Sequence, residues 1–178
     1  MGQPLNLDDY IRKIPDFPKK GILFYDITGV LVTPRAFRYC IDSMLELYRD
    51  KQINAVAAIE ARGFLFAAPF AERAEIPLVL IRKKGKLPGR TLAKKYQLEY
   101  AEAEIELHAG DVPAGGRVLL LDDLIATGGT LNAARELIVS AGAEVPEIFG
   151  VVGLPFLRYG ETLGASSIIR TLIEYHSE

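Results

Sequence analysis

The chain is poor in several features that would each have pointed to a class of protein. Its single cysteine, Cys40, leaves no partner for an internal disulfide, so a reducing compartment is the simpler expectation. Its densest apolar stretch, FLFAAPFA at 64–71, falls far short of the roughly 20 residues a membrane helix needs. The charges nearly cancel, with 21 Lys and Arg against 23 Asp and Glu, which argues against a protein that coats nucleic acid. The opening MGQPLNLDDYIRK has no apolar core of a secretory leader, and Leu5 and Asn6 spoil a myristoylation start. Neither GxxxxGK[ST] nor GxGxxG occurs, so a P-loop and a dinucleotide fold are both disfavoured. There is no repeat and no low-complexity tract. The expectation is a cytoplasmic protein with no membrane or nucleic-acid partner, folded as one domain over 1–178 and burying about 70% of its unfolded surface.

What the chain does contain is an alternation of apolar runs and helical patterns. Thr33 is a plausible N-cap with Pro34 at the first helical position, and Phe37, Cys40, Ile41, Met44, Leu45 and Tyr48 then make one apolar face. Apolar runs at 55–59, 78–81, 118–121 and 148–152 read as buried strands. Strands alternating with helices imply an α/β fold with a central, mainly parallel sheet flanked by helices. A helix from Gly129 to Ala141 should end at Gly142, a suitable left-handed stop. Pro69 means that the helix after Gly63 either starts late or bends.

In such sheets ligands gather beyond the carboxyl ends of the strands, where three polar loops would meet here. After the strand ending at Leu121 comes DDLIATGGT, two acids and then a Thr/Gly turn at a helix start. Exposed amides, close-approach glycines and hydroxyls at Thr127, Gly128, Gly129 and Thr130 suit a phosphate dianion. Adjacent acids beside a phosphate need hydroxyl donors or a metal, which a sugar diol would answer. The plainer alternative is a Thr N-cap with two solvated acids. IEARGF places Arg62 at a second strand end, where it is suited to phosphate oxygens or to a surface pairing with Glu60. The third loop packs seven of the 21 basic residues into positions 82–95 with no acid among them: Arg82, Lys83, Lys84, Lys86, Arg90, Lys94 and Lys95. A solvated face or nucleic-acid patch would account for it, and a mobile cationic flap over a small anion accounts for it better. KYQLEYAEAEIELH then alternates like an antiparallel ribbon, with Glu99 either a surface residue or a proton-handling group.

DDLIATGGT resembles the phosphoribosyl pyrophosphate signature of the type I phosphoribosyltransferases. FPKKGILFYDIT, IEARGFLF, IRKKGKLPG, YQLEY and the closing LIEY resemble the adenine-using members of that family, so the likeness runs from Phe17 to Tyr175. It implies the type I phosphoribosyltransferase fold, with an N-terminal hood within 1–33 and a flexible antiparallel flap and ribbon over 82–108. It also implies purine salvage, in which adenine and phosphoribosyl pyrophosphate give AMP and pyrophosphate with Mg²⁺ in a homodimer. On that likeness Asp122 and Asp123 hold the ribose hydroxyls and approach the metal indirectly, and Ala126, Thr127, Gly128, Gly129 and Thr130 seat the 5′-phosphate. Ala61 and Arg62 hold pyrophosphate in a loop where a non-proline cis peptide is expected, and Arg82, Lys83 and Lys86 add charge to the same leaving group. Backbone at Leu23 and Tyr25 reads the adenine edge, Phe24 and Leu124 sandwich its ring, Glu99 manages the proton at the base, and Tyr100 helps close the flap.

Two departures from the family pattern stand out. Tyr25 occupies a position where relatives commonly carry Arg, so its side chain matters if it reaches the ligand. Thr28-Gly29-Val30 lacks the Pro usual after the hydroxyl residue, which bears on hood rigidity. Two other functions share these residues: a binding regulator that kept the donor site without turnover, and a sister transferase using hypoxanthine, guanine, xanthine or orotate. The intact flap, Arg62 and Glu99 argue against the first, as does the lack of an appended DNA-binding segment. The hood and YQLEY disfavour the second.

Overall fold

The computed structural model describes residues 5–97, 102–164 and 167–177. A 3₁₀ turn, Leu7–Tyr10, leads into β1 (Arg12–Pro15) and β2 (Leu23–Asp26), which pair antiparallel as a separate two-stranded sheet. The short α1 (Thr28–Leu31) and the long α2 (Pro34–Tyr48) follow, then β3 (Ala55–Ile59), α3 (Arg62–Ala74) and β4 (Leu78–Lys83). The ribbon is β5 (Leu92–Gln97) and β6 (Glu102–Leu107). The chain closes with β7 (Val118–Ile125), α4 (Gly129–Ser140), β8 (Glu147–Gly153), α5 (Tyr159–Leu163) and β9 (Ile168–Glu174). In the main sheet the strand order is β5-β6-β4-β3-β7-β8-β9, parallel from β4 to β9 and antiparallel at the ribbon end.

Both faces of this sheet are covered, as a parallel sheet requires. Along β7, Leu119 and Leu121 join a core with Met44, Phe66, Phe70 and Phe149, supplied by α2, α3 and β8. Val118, Leu120 and Ile125 join a second core with Ile81, Leu107, Leu131 and Ile138, supplied largely by the ribbon and α4. Over 118–121 the period-two alternation of strand side chains thus feeds two cores from one strand, and past the two acids the phase reverses, Leu124 packing on the first core and Ile125 on the second. Among the described residues no helix is long and apolar enough to cross a membrane.

Several sequence expectations change in detail. Thr33 sits at the N-cap of α2 with Pro34 at its first position, but its hydroxyl makes no capping bond. Only its carbonyl is used, accepting from the Phe37 amide at 3.0 Å. On α2, Phe37 and Leu45 are half-buried, while Ala36 completes the buried face. Pro69 lies inside α3, which begins well before it at Arg62. Strand β7 does not stop at Leu121 but carries both acids, because Asp122 pairs with Gly150 and Leu124 with Val152. A ladder is made by backbone groups, so polar side chains do not end it. Helix α4 ends at Ser140 with Gly142 at φ +94°, as its stop signal implied. The edge strand β9 escapes an apolar-run reading because Arg170 and Thr171 interrupt it.

The departure at Gly29 has a steric reason. A Cβ built there would lie 2.3 Å from the Tyr10 carbonyl oxygen, so α1 rests directly on the 3₁₀ turn. Gly29→Ala should therefore cost about 1–3 kcal/mol, since backbone rather than a yielding side chain must move. Urea denaturation measures this, and an unchanged midpoint would contradict the close packing.

Candidate active site

The site begins where β3 and β7 end side by side. Gly63 allows the approach: a Cβ on it would lie 3.1 Å from Asp122 Oδ1 and 3.3 Å from the Leu121 carbonyl. Helix α3 can therefore start against β7, which brings Arg62 Nε to 2.7 Å from Asp123 Oδ2. Asp123 is 4% exposed, and that oxygen has no aligned hydrogen-bond donor among the described residues. The contact is thus a charge pairing rather than a directed hydrogen bond. Asp122, half-buried, accepts the Asp123 amide at 2.9 Å. Burial and the neighbouring Asp123 carboxylate push the Asp122 carboxyl well above the usual range.

Two adjoining cavities open here. A cleft of about 480 Å³ is lined by Glu60, Ala61, Arg62, Lys83, Tyr96, Ile105, both acids, Leu124, Ala126 and Thr130, among others. A smaller one of about 100 Å³ is lined by Asp122, Leu124 and every residue from Ala126 to Leu131. The smaller cavity sits at the N-terminus of α4. The N-cap residue there is Gly128, not a Thr, and no side chain caps it, so the alternative of a Thr N-cap is not what the structure has. The first amides of a 12-residue helix therefore stay available to an anion. Gly128 has φ +81°, which favours glycine, and a Cβ there would also crowd the Leu163 side chain at 3.0 Å.

Glu60 does not pair with Arg62. It takes Arg82 Nε at 2.8 Å and Lys86 Nζ at 3.5 Å, and these cations outweigh its desolvation and hold its carboxyl below the usual range. The Glu60–Ala61 peptide is cis. Of the basic loop, exposed Lys83 lines the cleft, while Arg82 and Lys86 reach it only through Glu60. Lys94 and Lys95 are spent on Glu136 and Glu102, which fasten the ribbon to α4 and to itself. Thr130 Oγ1 donates to the Tyr96 hydroxyl at 3.3 Å, a cleft residue with no recognisable sequence signal.

The hood approaches the same rim. Arg62 Cζ lies 5.9 Å from the centre of the Phe24 ring, which packs edge-to-face with Phe17 at 5.0 Å between ring centres. Leu23 is half-buried against the core. Tyr25 points elsewhere: it is 3% exposed, stacks on Tyr175 at 4.2 Å, and donates its hydroxyl to the Ser177 carbonyl at 3.2 Å. Its side chain anchors the hood to the C-terminal segment instead of facing the cleft. Glu99 and Tyr100 lie outside the described residues. A separate cavity of about 340 Å³ near the C-terminal ends of α2 and α3 collects Arg49, Lys51 and Arg73, but each is ion-paired and the strand ends do not converge there.

Comparison with known proteins agrees with this geometry. Residues 28–154 match the family model for the phosphoribosyl transferase domain. The chain is 63% identical over 172 residues to an adenine phosphoribosyltransferase of Treponema denticola, covering 97% of this chain and 90% of that one. It superposes on the crystal structure of the Thermoanaerobacter pseudethanolicus adenine phosphoribosyltransferase with TM-score 0.91 at 44% identity, covering 95% of this chain and 98% of that one. The Giardia lamblia enzyme, solved with 9-deazaadenine, gives TM-score 0.88 at 35% identity, with 96% of each chain covered. On this evidence the chain belongs to the adenine phosphoribosyltransferases of the phosphoribosyl transferase domain family.

Proposed function

We propose that the chain makes AMP by moving the phosphoribosyl group of phosphoribosyl pyrophosphate to N9 of adenine. The observation that carries this reading is the convergence of an acid pair on β7, an uncapped helix N-terminus and Arg62 on one rim. In the reaction the N9 lone pair forms the bond to C1′ while the C1′–O bond breaks, its electrons leaving with pyrophosphate. Asp122 and Asp123 orient the ribose hydroxyls, and residues Ala126 to Thr130 hold the 5′-phosphate by backbone amides and hydroxyls. Ala61, Arg62 and Lys83 meet the leaving group, with Arg82 and Lys86 behind them, so fixed positive charge stands where negative charge grows. Backbone at Leu23 and Tyr25 reads adenine, Phe24 and Leu124 hold its faces, Glu99 takes part in handling the N9 proton, and Tyr100 helps the flap close.

Mg²⁺ fits this arrangement only as a shared guest. Among the described residues no group of three or more His, Cys, Asp or Glu side chains could hold a metal. Two carboxylates with hard oxygens remain, a donor set matching an ion carried largely by substrate phosphates and water. Asp122 and Asp123 would then touch it indirectly, and when bound it would neutralise charge on the pyrophosphate. A homodimer, on family resemblance, and a cytoplasmic protein with neither nucleic acid nor membrane as partner, on composition, complete the reading.

A spectrophotometric panel of bases with phosphoribosyl pyrophosphate and Mg²⁺ tests the proposal. Adenine should turn over, and guanine or orotate turning over with none of adenine would overturn it. The named relatives are transferases, so no observation favours the non-catalytic regulator or a sister base.

A further inference from the structure

We infer that Glu106 is a positioning residue for the pyrophosphate end of the donor, because its carboxylate is the template on which the basic loop after β4 folds. This rests on the reading above that the loop's cations serve the leaving group.

Glu106 lies on β6, cross-strand from Arg82 on β4, and is 2% exposed. A buried carboxylate must be met by donors or it is expelled or neutralised. The donors here come chiefly from the loop. Oε1 accepts the amides of Lys86 and Leu87, each at 2.9 Å, and Oε2 accepts the Thr91 hydroxyl at 3.1 Å, with Lys84 Nζ at 3.5 Å. These bonds, the Leu87 amide foremost, hold its carboxyl below the usual range.

Lys86 is consequently fixed at three points. Its amide goes to Glu106, its carbonyl accepts Arg82 Nη1 at 3.1 Å, and its ammonium lies 3.5 Å from Glu60. The turn that presents Lys83 and Lys84 is closed by the Lys86 amide, which also reaches the Lys83 carbonyl at 3.2 Å, and Gly85 supplies φ +85°. Removing the Glu106 carboxylate orphans the Leu87 amide, leaves the Lys86 amide only its 3.2 Å bond to the Lys83 carbonyl, and loosens the segment bearing Lys84 and Lys86. Phe24 and Leu124 belong to other elements and keep their places. The damage should therefore fall on donor binding and spare the base.

Steady-state kinetics on the full chain, with melting temperature as a control, decides this. Glu106→Ala should raise KM for phosphoribosyl pyrophosphate about tenfold, with KM for adenine within about twofold of wild type. Glu106→Gln, which keeps one oxygen for the two amides, should recover most of that loss. A folded Glu106→Ala protein whose donor KM is unchanged, or whose two KM values rise together, overturns the assignment. Should the Ala variant fail to fold, Thr91→Val strips one donor without altering charge. It should raise donor KM about threefold, and no rise would equally overturn the assignment. Lys83→Met, which removes the loop cation that lines the cleft, separates the two levels. If it raises donor KM while Glu106→Ala does not, only the Glu106 role falls; if it leaves donor KM unchanged, the loop's role in donor binding falls first and takes Glu106 with it.

Discussion

Arg62→Ala is expected to lower kcat/KM for phosphoribosyl pyrophosphate by about a hundredfold or more, the scale seen when a fixed charge-stabilising group is removed from an active site. It should also reduce the stability of the ligand-free protein. Arg62 is the group facing Asp123 Oδ2 at 2.7 Å, and that oxygen is otherwise buried without an aligned donor. Stripping the cation leaves a carboxylate in a poorly solvated place. Breaking a fully buried pair costs about 3–5 kcal/mol, but the Arg62 side chain is 45% exposed, so water screens the pair and about 1 kcal/mol is the better expectation. The same side chain lies over Phe24, so the hood loses a neighbour as well. Kinetics with donor and base varied separately, together with denaturation, measures both effects. Arg62→Lys should recover stability better than activity, since an ammonium keeps the charge and loses the planar fork. A kcat/KM for Arg62→Ala within about threefold of wild type would remove Arg62 from the machinery.

The contrast between Glu60 and Arg62 shows what the sequence could and could not disclose. Two residues apart on paper, they pair with different partners: Glu60 with Arg82 and Lys86, Arg62 with Asp123. Local proximity left a Glu60–Arg62 pairing open as one of two readings, and it does not form because a parallel ladder aligns residues far apart in the chain. Ile59 stands beside Ile81, so the next residues, Glu60 and Arg82, meet. Strand β3 was legible to the residue because both its faces are buried, and α4 was legible because a Thr/Gly turn and Gly142 mark its two ends. Glu106 was not, since a Glu in the alternating stretch EIELH reads as solvent-facing. Only the loop folded over it turns that face inward. The direction of Tyr25 was equally hidden, because its partners Tyr175 and Ser177 are about 150 positions away and are brought near by the edge strand β9. The turn that opens α4 was readable because its chemistry is local. The pairings around it were not, because they belong to the sheet.

Asp122→Asn should make the ligand-free protein more stable while weakening its hold on the donor. The Asp122 carboxyl is raised well above the ordinary Asp range by burial first and then by the charge of Asp123. Between the unfolded value, about 4, and the raised folded value, the native chain keeps a proton that the unfolded chain has released. Stability therefore falls as pH rises through that window and stays low above it. Asn resembles the protonated acid, so the variant's stability should be flat over the pH range where wild type declines, and the two curves should converge toward the acid end. Asn can still offer Oδ1 to the Asp123 amide, which preserves the local fold. What it cannot offer is a charged acceptor for a ribose hydroxyl, worth about 1.5–3 kcal/mol or roughly ten- to hundredfold in donor affinity. Calorimetric titration with phosphoribosyl pyrophosphate and denaturation across pH separate the two effects. An unchanged dissociation constant takes Asp122 out of the ribose site, and a variant less stable than wild type at pH 8 denies that the acid is strained. If both expectations hold, Asp122 is kept for the ligand, since the empty fold would be better served without its charge.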